Sequence, residues 1–539
     1  MLERQPRKNF QTVLRFGGGI VSIASEDEIK EVECAAGQNF VMELDNSHYK
    51  PRKPFQKMGT ATNGENIKGY AQLVKKDNTI STLIQAGDTV YEWDGASTFT
   101  SKGTVSSGAQ LRGTLDSNWT LEDKVIITDL TKTEVVKEWD GTTFSDMTTN
   151  LGAAFYAKYC FVENERAWYA NVKAGTDTPH LIAVSELEDY NDLSTANRPS
   201  SSLGAADPFY LLSPDLRPIN GLVEAFGSVI FSTIRGSMFQ FTGTTAQNYG
   251  IVAFYNGSAA SGDEAVCHVG NDVYFGRDGA IESLASVQNI AEASVDDLSR
   301  FISNEVQDVE QWRLVYDRNT QRVYCFPKDN DEIWVFQKPI YDSVAKQAAM
   351  NNLGQFVSPW SKYTTRHSAG FMPSTVWNML DPATSTMAVY FGDTSGNIYK
   401  MEGSTFNGDG GTTDILSTRT SKSFQSPPGQ KWDVNGWILY RKPTSEVKVS
   451  LIFEYGGVAV FNQAIELTLP APDTTTASYY GSGTSYYGSG TSYYGTSFVG
   501  RLSRQEWSAA GRASQLQVRA QIEGQTDFSI AEIGINWTG

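Results

Sequence analysis

Histidines, which often carry metal or acid–base chemistry, are few and scattered in this chain. The 539 residues include four of them, His48, His180, His268 and His367. None has a Cys, Asp or Glu neighbour at the spacing of a known metal motif. Cys267 and His268 are adjacent, so on a strand they face opposite sides and cannot share an ion. The sequence therefore predicts no metal site.

Carboxylates are abundant, but none stands in a pattern that specifies catalysis. Pairs such as Asp296-Asp297, or Glu186 with Glu188, are too common to indicate a glycosidase by themselves. The sequence contains no nucleophile elbow, phosphate-binding loop or kinase signature. Asp393 and Asn397 belong to polar turns that favour Asx-turn hydrogen bonds over a calcium loop. We expect no enzymatic activity and no cofactor.

The four cysteines, Cys34, Cys160, Cys267 and Cys325, are far apart and form no C-x-x-C pair. This spacing argues against a disulfide framework and a zinc knuckle, and it favours buried free thiols in a reducing cytoplasm. The first residues contain no apolar run that would indicate a secretory signal, and no stretch has the length of a membrane span. A soluble protein is expected.

The elements that position these side chains follow from a recurring two-strand phrase. It consists of an apolar alternation, a polar turn rich in Asp and Gly, and a second alternation. The copies lie at Val229–Phe241, Val273–Ile281, Val323–Phe336 and Val389–Tyr399. A closer pair, Glu92–Phe99 and Glu138–Phe144, is separated by 46 residues. A period of about 40 to 50 residues is typical of propeller blades, so the recurrence predicts a closed radial array of sheets.

The turns of these phrases contain the glycines that we expect to matter for the structure. They are Gly95, Gly141, Gly279 and Gly396. Asp-Gly turns use a positive φ, which glycine adopts at little steric cost. A side chain at Gly279 is therefore expected to damage folding.

The predicted fold class is mainly β, with a β-propeller-like domain, an additional β-sandwich-type domain and few short helices. Residues 1–60 are expected to form an N-terminal arm and entry strands, and residues 61–403 the propeller-like repeats. Residues 404–539 have longer alternating segments and are expected to form a C-terminal β domain. One helix is expected to begin at Ser294 as its N-cap, with Asp297 in the capping-box position.

The chain is acidic, with 61 acidic and 44 basic residues and a formal net charge of −17. Dispersed acidity argues against a protein that grips nucleic acid through its phosphates. Either the negative charge keeps the protein in solution, or acidic residues line a channel along which DNA slides without adhering. Composition leaves both interpretations open.

A low-complexity insert occupies residues 478–494, where the heptad Ser-Tyr-Tyr-Gly-Ser-Gly-Thr is repeated. Paired tyrosines separated by Gly-Ser-Gly cannot form a core of their own. The candidate interaction residues are Tyr479, Tyr480, Tyr486, Tyr487, Tyr493 and Tyr494. The insert is therefore either a projecting contact loop or a tolerated flexible insertion.

Several phrases taken in order give the chain a family resemblance. They are Phe16–Ile20, Glu31–Phe40, Lys50–Phe55, Val229–Gly243, Val273–Leu284, Asp317–Tyr324, Trp360–Tyr363 and Phe391–Tyr399. Together they resemble the tail-tube, or nozzle, proteins of short-tailed bacteriophages (podoviruses), also called tail-hub or DNA-stabilisation proteins. The resemblance covers about residues 16–403 and does not extend to the C-terminal region or to the Tyr-Gly-Ser insert.

The resemblance implies a structural virion protein without catalytic residues. Such a protein forms a homo-oligomeric ring, a hexamer, beneath the portal and adaptor proteins. Double-stranded DNA leaves through the central bore, and the sides of the ring seat tail fibres or spikes. The protein is made in the bacterial cytoplasm, is located in the virion tail, and meets the host outer surface during infection.

Two alternatives remain open from the residues. The first is a receptor-binding fibre or adsorption protein, for which the tyrosines of residues 478–494 would stack on host glycans. The second is a propeller glycosidase acting through carboxylates. A fibre is expected to be a trimer, and a glycosidase is expected to cleave a glycan.

Overall fold

A computed structural model gives the structure of the chain. It describes residues 9–538 except 16–17, 25–27, 31–32, 42–48, 115–122, 152–153, 164–165, 187–188, 194–209, 226–227, 235, 244–248, 258–259, 271, 287–292, 329, 343–346, 349–356, 365–372, 404–414, 426–431, 442–445, 456–457, 460–463, 470–501, 514 and 525–527.

The chain divides into two compact units. One unit, which we name the sandwich unit, comprises Met1–Phe55, Trp334–Arg366 and Glu402–Gly539. The other, the propeller unit, comprises Gln56–Ile333 and His367–Met401. The sandwich unit is thus built from both ends of the chain and from a segment in its middle.

Strands make up nearly all of the regular structure. The N-terminal strands are β1 (Asn9–Arg15), β2 (Ala36–Gln38), β3 (Phe40–Val41) and β4 (Lys50–Pro51). The next are β5 (Gln56–Thr60), β6 (Ile67–Val74), β7 (Ile80–Ala86), β8 (Thr89–Trp93), β9 (Phe99–Thr104), β10 (Leu111–Gly113), β11 (Val125–Asp129), β12 (Lys137–Trp139) and β13 (Phe144–Asp146). They are followed by β14 (Phe155–Glu163), β15 (Arg166–Ala174), β16 (Thr176–Val184), β17 (Tyr210–Leu212), β18 (Ile219–Ala225), β19 (Ser228–Thr233), β20 (Met238–Thr242) and β21 (Gly250–Tyr255).

The second half of the chain continues in the same way. Its first strands are β22 (Val266–His268), β23 (Asp272–Arg277), β24 (Ala280–Ser286), β25 (Ala293–Asp297), β26 (Trp312–Asp317), β27 (Arg322–Pro327), β28 (Ile333–Gln337), β29 (Tyr341–Asp342), β30 (Gln347–Ala348) and β31 (Trp360–Tyr363). Then come β32 (Pro373–Leu380), β33 (Met387–Asp393), β34 (Asn397–Lys400), β35 (Ile415–Thr420), β36 (Phe424–Gln425), β37 (Trp432–Arg441), β38 (Val447–Tyr455), β39 (Val458–Ala459), β40 (Ile465–Leu469), β41 (Leu502–Ala513), β42 (Gln515–Gly524) and β43 (Ser529–Thr538).

The strands from β5 to β34, apart from β29 and β30, fall into seven groups of four, which we number as blades. Blades 1 to 5 are β6–β9, β10–β13, β14–β17, β18–β21 and β22–β25. Blades 1 and 2 form one eight-stranded sheet through a parallel pairing of Arg112 with Tyr70. Blade 6 has the order β26-β27-β28-β31, and the boundary between the two units falls inside β28. Blade 7 has the order β32-β33-β34-β5.

The ring of the propeller is closed by β5. This strand precedes all the others of the propeller unit, yet it pairs with β34, where Asn397 lies opposite Thr60. Around the centre, the first strand of one blade contacts that of the next, as β18 does with β22, β26 with β32, and β32 with β6. The segment that precedes blade 1 thus supplies the outer strand of blade 7, which ties the first blade to the last through the chain.

The apolar core of the propeller unit lies between neighbouring blades. Ile67 and Trp93 of blade 1 form one buried cluster with Trp377 and Tyr390 of blade 7. Tyr70 stacks on Trp377 with ring centroids 5.3 Å apart. Similar clusters join blades 1 and 2, blades 2 and 3, and blades 3 and 4. Each of these clusters combines aliphatic side chains with at least one large aromatic side chain.

Two larger sheets lie in the sandwich unit, in addition to the two-stranded sheets β3-β4 and β29-β30. One of the larger sheets has the order β1-β43-β37-β41, and the other has the order β2-β35-β42-β38-β39. In β38, Val447, Val449 and Leu451 are buried at alternate positions, which is the pattern of a strand with one face in a core. Phe453 of β38 contacts Trp507 of β41 with ring centroids 5.3 Å apart, so the two sheets share this core. The predicted mainly β class, with propeller-like and sandwich-type parts, is confirmed.

The predicted helix begins at a different residue. Ser294 lies in β25 and is paired with Ala285 of β24, so it cannot be an N-cap. Instead Asp297 accepts a hydrogen bond from the Ser299 amide and caps a 3-10 helix over Leu298–Ile302. The helix α1 (Ser303–Val306) follows, and a second 3-10 helix spans Lys338–Ile340. The pairing with β24 outweighs the capping signal at Ser294. Among the described residues, no helix has the length and hydropathy needed to cross a membrane.

Candidate functional site

The candidate site is an ionic network at the centre of the propeller unit. Its backbone is the segment Ala260–Glu264, which precedes β22, the first strand of blade 5. Asn220 Nδ2 donates to the Ala260 carbonyl at 2.6 Å. The Glu264 carbonyl accepts from the Leu314 amide at 2.9 Å, and Glu264 forms a parallel bridge with Arg313. The segment is thereby fixed against the first strands of blades 4 and 6.

The Glu264 carboxylate joins arginines from two other blades. Its Oε1 accepts from Arg112 Nε at 2.8 Å, and its Oε2 lies 3.3 Å from Arg313 Nε. Arg112 lies in β10 of blade 2 and Arg313 in β26 of blade 6. Because blades 2 and 5 are not neighbours, this bridge crosses the centre of the ring. It therefore obstructs the axis of the propeller.

Asp263 makes a second set of contacts, to blade 3. Lys158 Nζ lies 3.1 and 3.2 Å from its two carboxylate oxygens. The Tyr159 hydroxyl donates to Asp263 Oδ1 at 2.7 Å. Both Lys158 and Tyr159 lie in β14, the first strand of that blade. Adjacent acids on one loop thus hold strands from three other blades.

The electrostatics of this network keep Glu264 ionised and Tyr159 protonated near neutral pH. Burial acts to raise the pKa of Glu264, but the nearby Arg112 and Arg313 outweigh it and hold that pKa below the ordinary value of 4.5. Burial raises the pKa of Tyr70 to about 12. Burial also raises the pKa of Tyr159 above its ordinary value, with a contribution from Asp263. None of these groups has a pKa moved toward neutrality, which proton transfer would require. The network is suited to holding blades together.

Carboxylates elsewhere in the propeller unit stabilise turns. Asp393 Oδ1 accepts from the amides of Ser395 and Asn397 at 2.9 and 2.8 Å. Asp129 Oδ2 accepts from the amides of Thr133 and Glu134 at 2.7 and 3.0 Å. These are Asx-type contacts, which fix the chain between two strands.

The four turn glycines of the sequence analysis all have positive φ. The values are +83° at Gly95, +88° at Gly141, +70° at Gly279 and +79° at Gly396. A Cβ atom at Gly279 would lie 2.9 Å from the Gln307 carbonyl oxygen. The six tyrosines of the insert, Tyr479, Tyr480, Tyr486, Tyr487, Tyr493 and Tyr494, lie outside the described residues.

The structure brings no metal-ligand group together in the part of the chain that it describes. His180 lies in β16 and His268 in β22, whereas His48 and His367 fall outside the described residues.

The four cysteines are free. Cys34, Cys267 and Cys325 are buried and Cys160 is half-buried. Burial raises the pKa of Cys34 to about 11, so its thiol stays protonated near neutral pH.

The paired carboxylates considered for catalysis have separate roles. Asp297 caps the 3-10 helix, and Glu186 lies 3.8 Å from Arg166. Glu188 falls outside the described residues. The structure therefore does not assemble the described members of these pairs into a catalytic site.

Sequence reasoning missed the central network. Arg112 and Glu264 are 152 positions apart, and no local motif marks either residue. Only the pairing of the first strands around the ring places them together.

Charge is divided unevenly between the two units. The propeller unit contains 22 Lys and Arg against 40 Asp and Glu, a net charge of −18. The sandwich unit contains 22 Lys and Arg against 21 Asp and Glu, a net charge of +1. The acidity of the chain therefore belongs to the propeller unit alone.

Comparison with known proteins yields structural likeness only. No protein-family model and no curated protein matches the chain. It is similar to the computationally designed Ika8 protein, with a TM-score of 0.36 and 13% identity over 64% of this chain and 99% of that one. It is also similar to YCF48 bound to D1 peptide, with a TM-score of 0.39 and 10% identity over 65% of this chain and 96% of that one. A third similar structure is the WD40 domain of Toxoplasma gondii coronin, with a TM-score of 0.38 and 11% identity over 68% of this chain and 87% of that one.

Proposed function

We propose that this chain is a structural protein of a short-tailed bacteriophage virion, and that it forms the tail tube, or nozzle, through which DNA is ejected. Copies of the chain assemble into a ring of six in the virion tail. The ring joins the adaptor protein above and tail fibres or spikes at its sides. It reaches the host outer surface during infection, and it catalyses no reaction.

The division of charge between the units is the observation that carries this proposal. With a net charge of −18, the propeller unit repels the phosphates of double-stranded DNA. A conduit needs a surface on which DNA does not adhere, whereas a protein that stores or binds DNA needs cations. The sandwich unit, at +1, supplies surface on which other proteins are not repelled.

The central network supports a bore that lies between the copies of such a ring. Arg112, Glu264 and Arg313 join blades across the axis of each propeller. DNA therefore passes between copies, along the symmetry axis of the ring, and not through any single propeller. The acidic sides of the propeller units then form the wall.

Electron microscopy of the purified full-length chain tests this proposal. We expect closed rings of six copies around a lumen wide enough for duplex DNA. A trimer that binds glycans would instead indicate a receptor-binding fibre. A solitary chain that cleaves a glycan would indicate a propeller glycosidase. Either result would overturn the conduit.

A DNA-binding measurement provides a second test. At about 0.15 M salt, where exposed charges interact over roughly 8 Å, the rings should not retard double-stranded DNA in a gel. Tight binding under these conditions would contradict an inert conduit.

A further inference from the structure

A lysine, an asparagine and an aspartate meet at the junction of blades 2 and 3. Lys132 lies in the turn between β11 and β12 of blade 2. Its Nζ donates to Asn171 Oδ1 at 2.7 Å and also contacts the Asp177 carboxylate. Asn171 lies in β15 and Asp177 in β16, both of blade 3. A primary amine, a side-chain amide and a carboxylate are the groups that an amide-forming reaction between side chains requires.

The backbone is strained at both ends of the contact between the lysine and the asparagine. The angle φ is +54° at Lys132 and +57° at Asn171, in the left-handed region that residues other than glycine adopt infrequently. Asn171 also lies at a β-bulge, because the pairing of β15 with β16 shifts register between Ala170 and Val172. Bulges and strained residues often direct side chains at functional sites. The strain therefore favours a functional role for this contact.

Hydrogen bonds fix the orientation of the Asn171 amide. Its Nδ2 donates to the Ile219 carbonyl at 2.7 Å, so its Oδ1 faces the Lys132 ammonium. Oδ1 is bonded directly to Cγ, the carbon that an amine attacks. A small rotation of the lysine side chain therefore brings Nζ to Cγ, at the separation of about 3 to 3.5 Å from which such atoms react.

The junction between the two blades is closed and apolar around these groups. The Val136 amide of blade 2 donates to the Phe155 carbonyl of blade 3 at 2.9 Å, and both side chains belong to one buried cluster. The Lys132 side chain is only 10% exposed and Asn171 only 2%. The fold thus holds the amine against the amide with little access for water, which raises the effective concentration of the two groups.

We propose that Lys132 and Asn171 form an isopeptide bond that joins blade 2 to blade 3. Asp177 takes one proton from the Lys132 ammonium, and the resulting amine attacks Asn171 Cγ. The Nζ–Cγ bond forms, a second proton moves from Nζ to Nδ2, and the Cγ–Nδ2 bond breaks to release ammonia. The ammonia takes the proton held by Asp177 and leaves as ammonium. Atoms and charge balance, and no other reactant is needed.

The reaction occurs once in each chain and involves no enzymatic turnover, so a slow step is sufficient. Lys132 and Asn171 are separated by 39 positions in the sequence and lie in different blades. A covalent link between them stiffens the propeller unit. This link does not depend on the proposed conduit.

Mass spectrometry of the purified full-length chain tests the bond. After digestion with trypsin, residues 125–137 should remain uncut after Lys132 and should be joined to residues 167–173, with the loss of one ammonia. The variant Lys132→Arg should give no such product. Separate peptides 125–132 and 167–173 from the unaltered chain would overturn the proposal, because the contact would then be a hydrogen bond only.

The variant Asp177→Asn tests the role of the carboxylate. The Asp177 side chain is 57% exposed, so the variant keeps its fold but lacks the group that accepts the proton. The crosslinked fraction at a fixed time after synthesis should fall about tenfold or more. The matched control is Asp146→Asn, since Asp146 is 66% exposed and pairs with Lys137 instead. It should crosslink like the unaltered chain. Equal crosslinking in Asp177→Asn would overturn the proposed mechanism.

Discussion

At the scale of single residues, Glu264 has the most consequential contacts of the propeller unit. It is the shared counter-ion of Arg112 and Arg313, and its side chain is only 18% exposed. Removing one member of a buried ionic group leaves the other charges uncompensated, and this costs more than the intact group contributes. The network is therefore a point of vulnerability for the ring of blades.

The variant Glu264→Gln should lower the free energy of unfolding by about 3 kcal/mol at neutral pH, because two arginines lose their counter-ion. Urea unfolding measures the change. Asp88→Asn is the control, since Asp88 pairs with Lys68 at 3.5 Å with its side chain 45% exposed. An exposed pair of this kind contributes little. A loss in Glu264→Gln no larger than in the control would contradict a cross-ring role.

The same residue predicts a dependence on pH. The folded pKa of Glu264 lies below its ordinary value of 4.5. Its ionisation therefore stabilises the fold above about pH 4.5, and this stability is lost as the pH falls through the folded pKa. The unaltered chain should lose more stability than Glu264→Gln over that acidic range. Parallel curves would show that other carboxylates control the acid unfolding.

A substitution at Gly279 tests whether the turn glycines are needed for stability. Gly279→Ala should destabilise by about 2 to 3 kcal/mol, because a Cβ meets the Gln307 carbonyl oxygen at 2.9 Å in addition to the cost of positive φ. Gly175→Ala is the matched control. Gly175 has φ of +76° with nothing within 4 Å of its Cβ position, so only about 1 kcal/mol is expected. Equal losses would show that backbone strain alone matters.

At the scale of elements, local sequence signals predicted the hairpins. They did not predict which strands pair over long distances in the chain. The phrase Val273–Ile281 has the alternation and the Asp-Gly turn of a hairpin, and it forms β23 and β24. No local sequence signal indicates that Thr60 lies beside Asn397, which is 337 residues away along the chain. Ser294 has a capping residue's chemistry, but its pairing with Ala285 places it in a strand. The periodicity of apolar residues indicates the type of element but does not indicate which strand it pairs with.

The position of each two-strand phrase within its blade could not be predicted from the sequence either. The phrases beginning at Val229, Val273 and Val389 are second and third strands of their blades. Those beginning at Glu92 and Glu138 are third and fourth strands. The sequence reveals that two-strand units recur and does not reveal where in a blade each belongs, because every strand pair alternates alike.

A separate prediction concerns β5, the strand that closes the ring of blades. A side chain at Gly59 would collide with the Ala96 carbonyl oxygen of blade 1. Gly59→Val should therefore destabilise the propeller unit by about 1 to 3 kcal/mol and raise hydrogen exchange in β34. Lys57→Val is the control, since it places the same side chain at an exposed position of the same strand. If hydrogen exchange in β34 is the same in Gly59→Val as in the unaltered chain, then β5 does not secure the ring.

At the scale of the whole molecule, the acidic net charge opposes self-association. Each copy has a net charge of −17, so copies repel at long range. Assembly of the proposed ring therefore requires that this repulsion be screened.

Salt should consequently strengthen self-association. From about 0.01 M to about 0.15 M salt the screening length falls from roughly 30 to 8 Å, which weakens repulsion between acidic units and leaves apolar burial intact. Sedimentation velocity across this range should show a growing share of rings. Association that weakens with salt would mean that ion pairs between copies hold the proposed ring together.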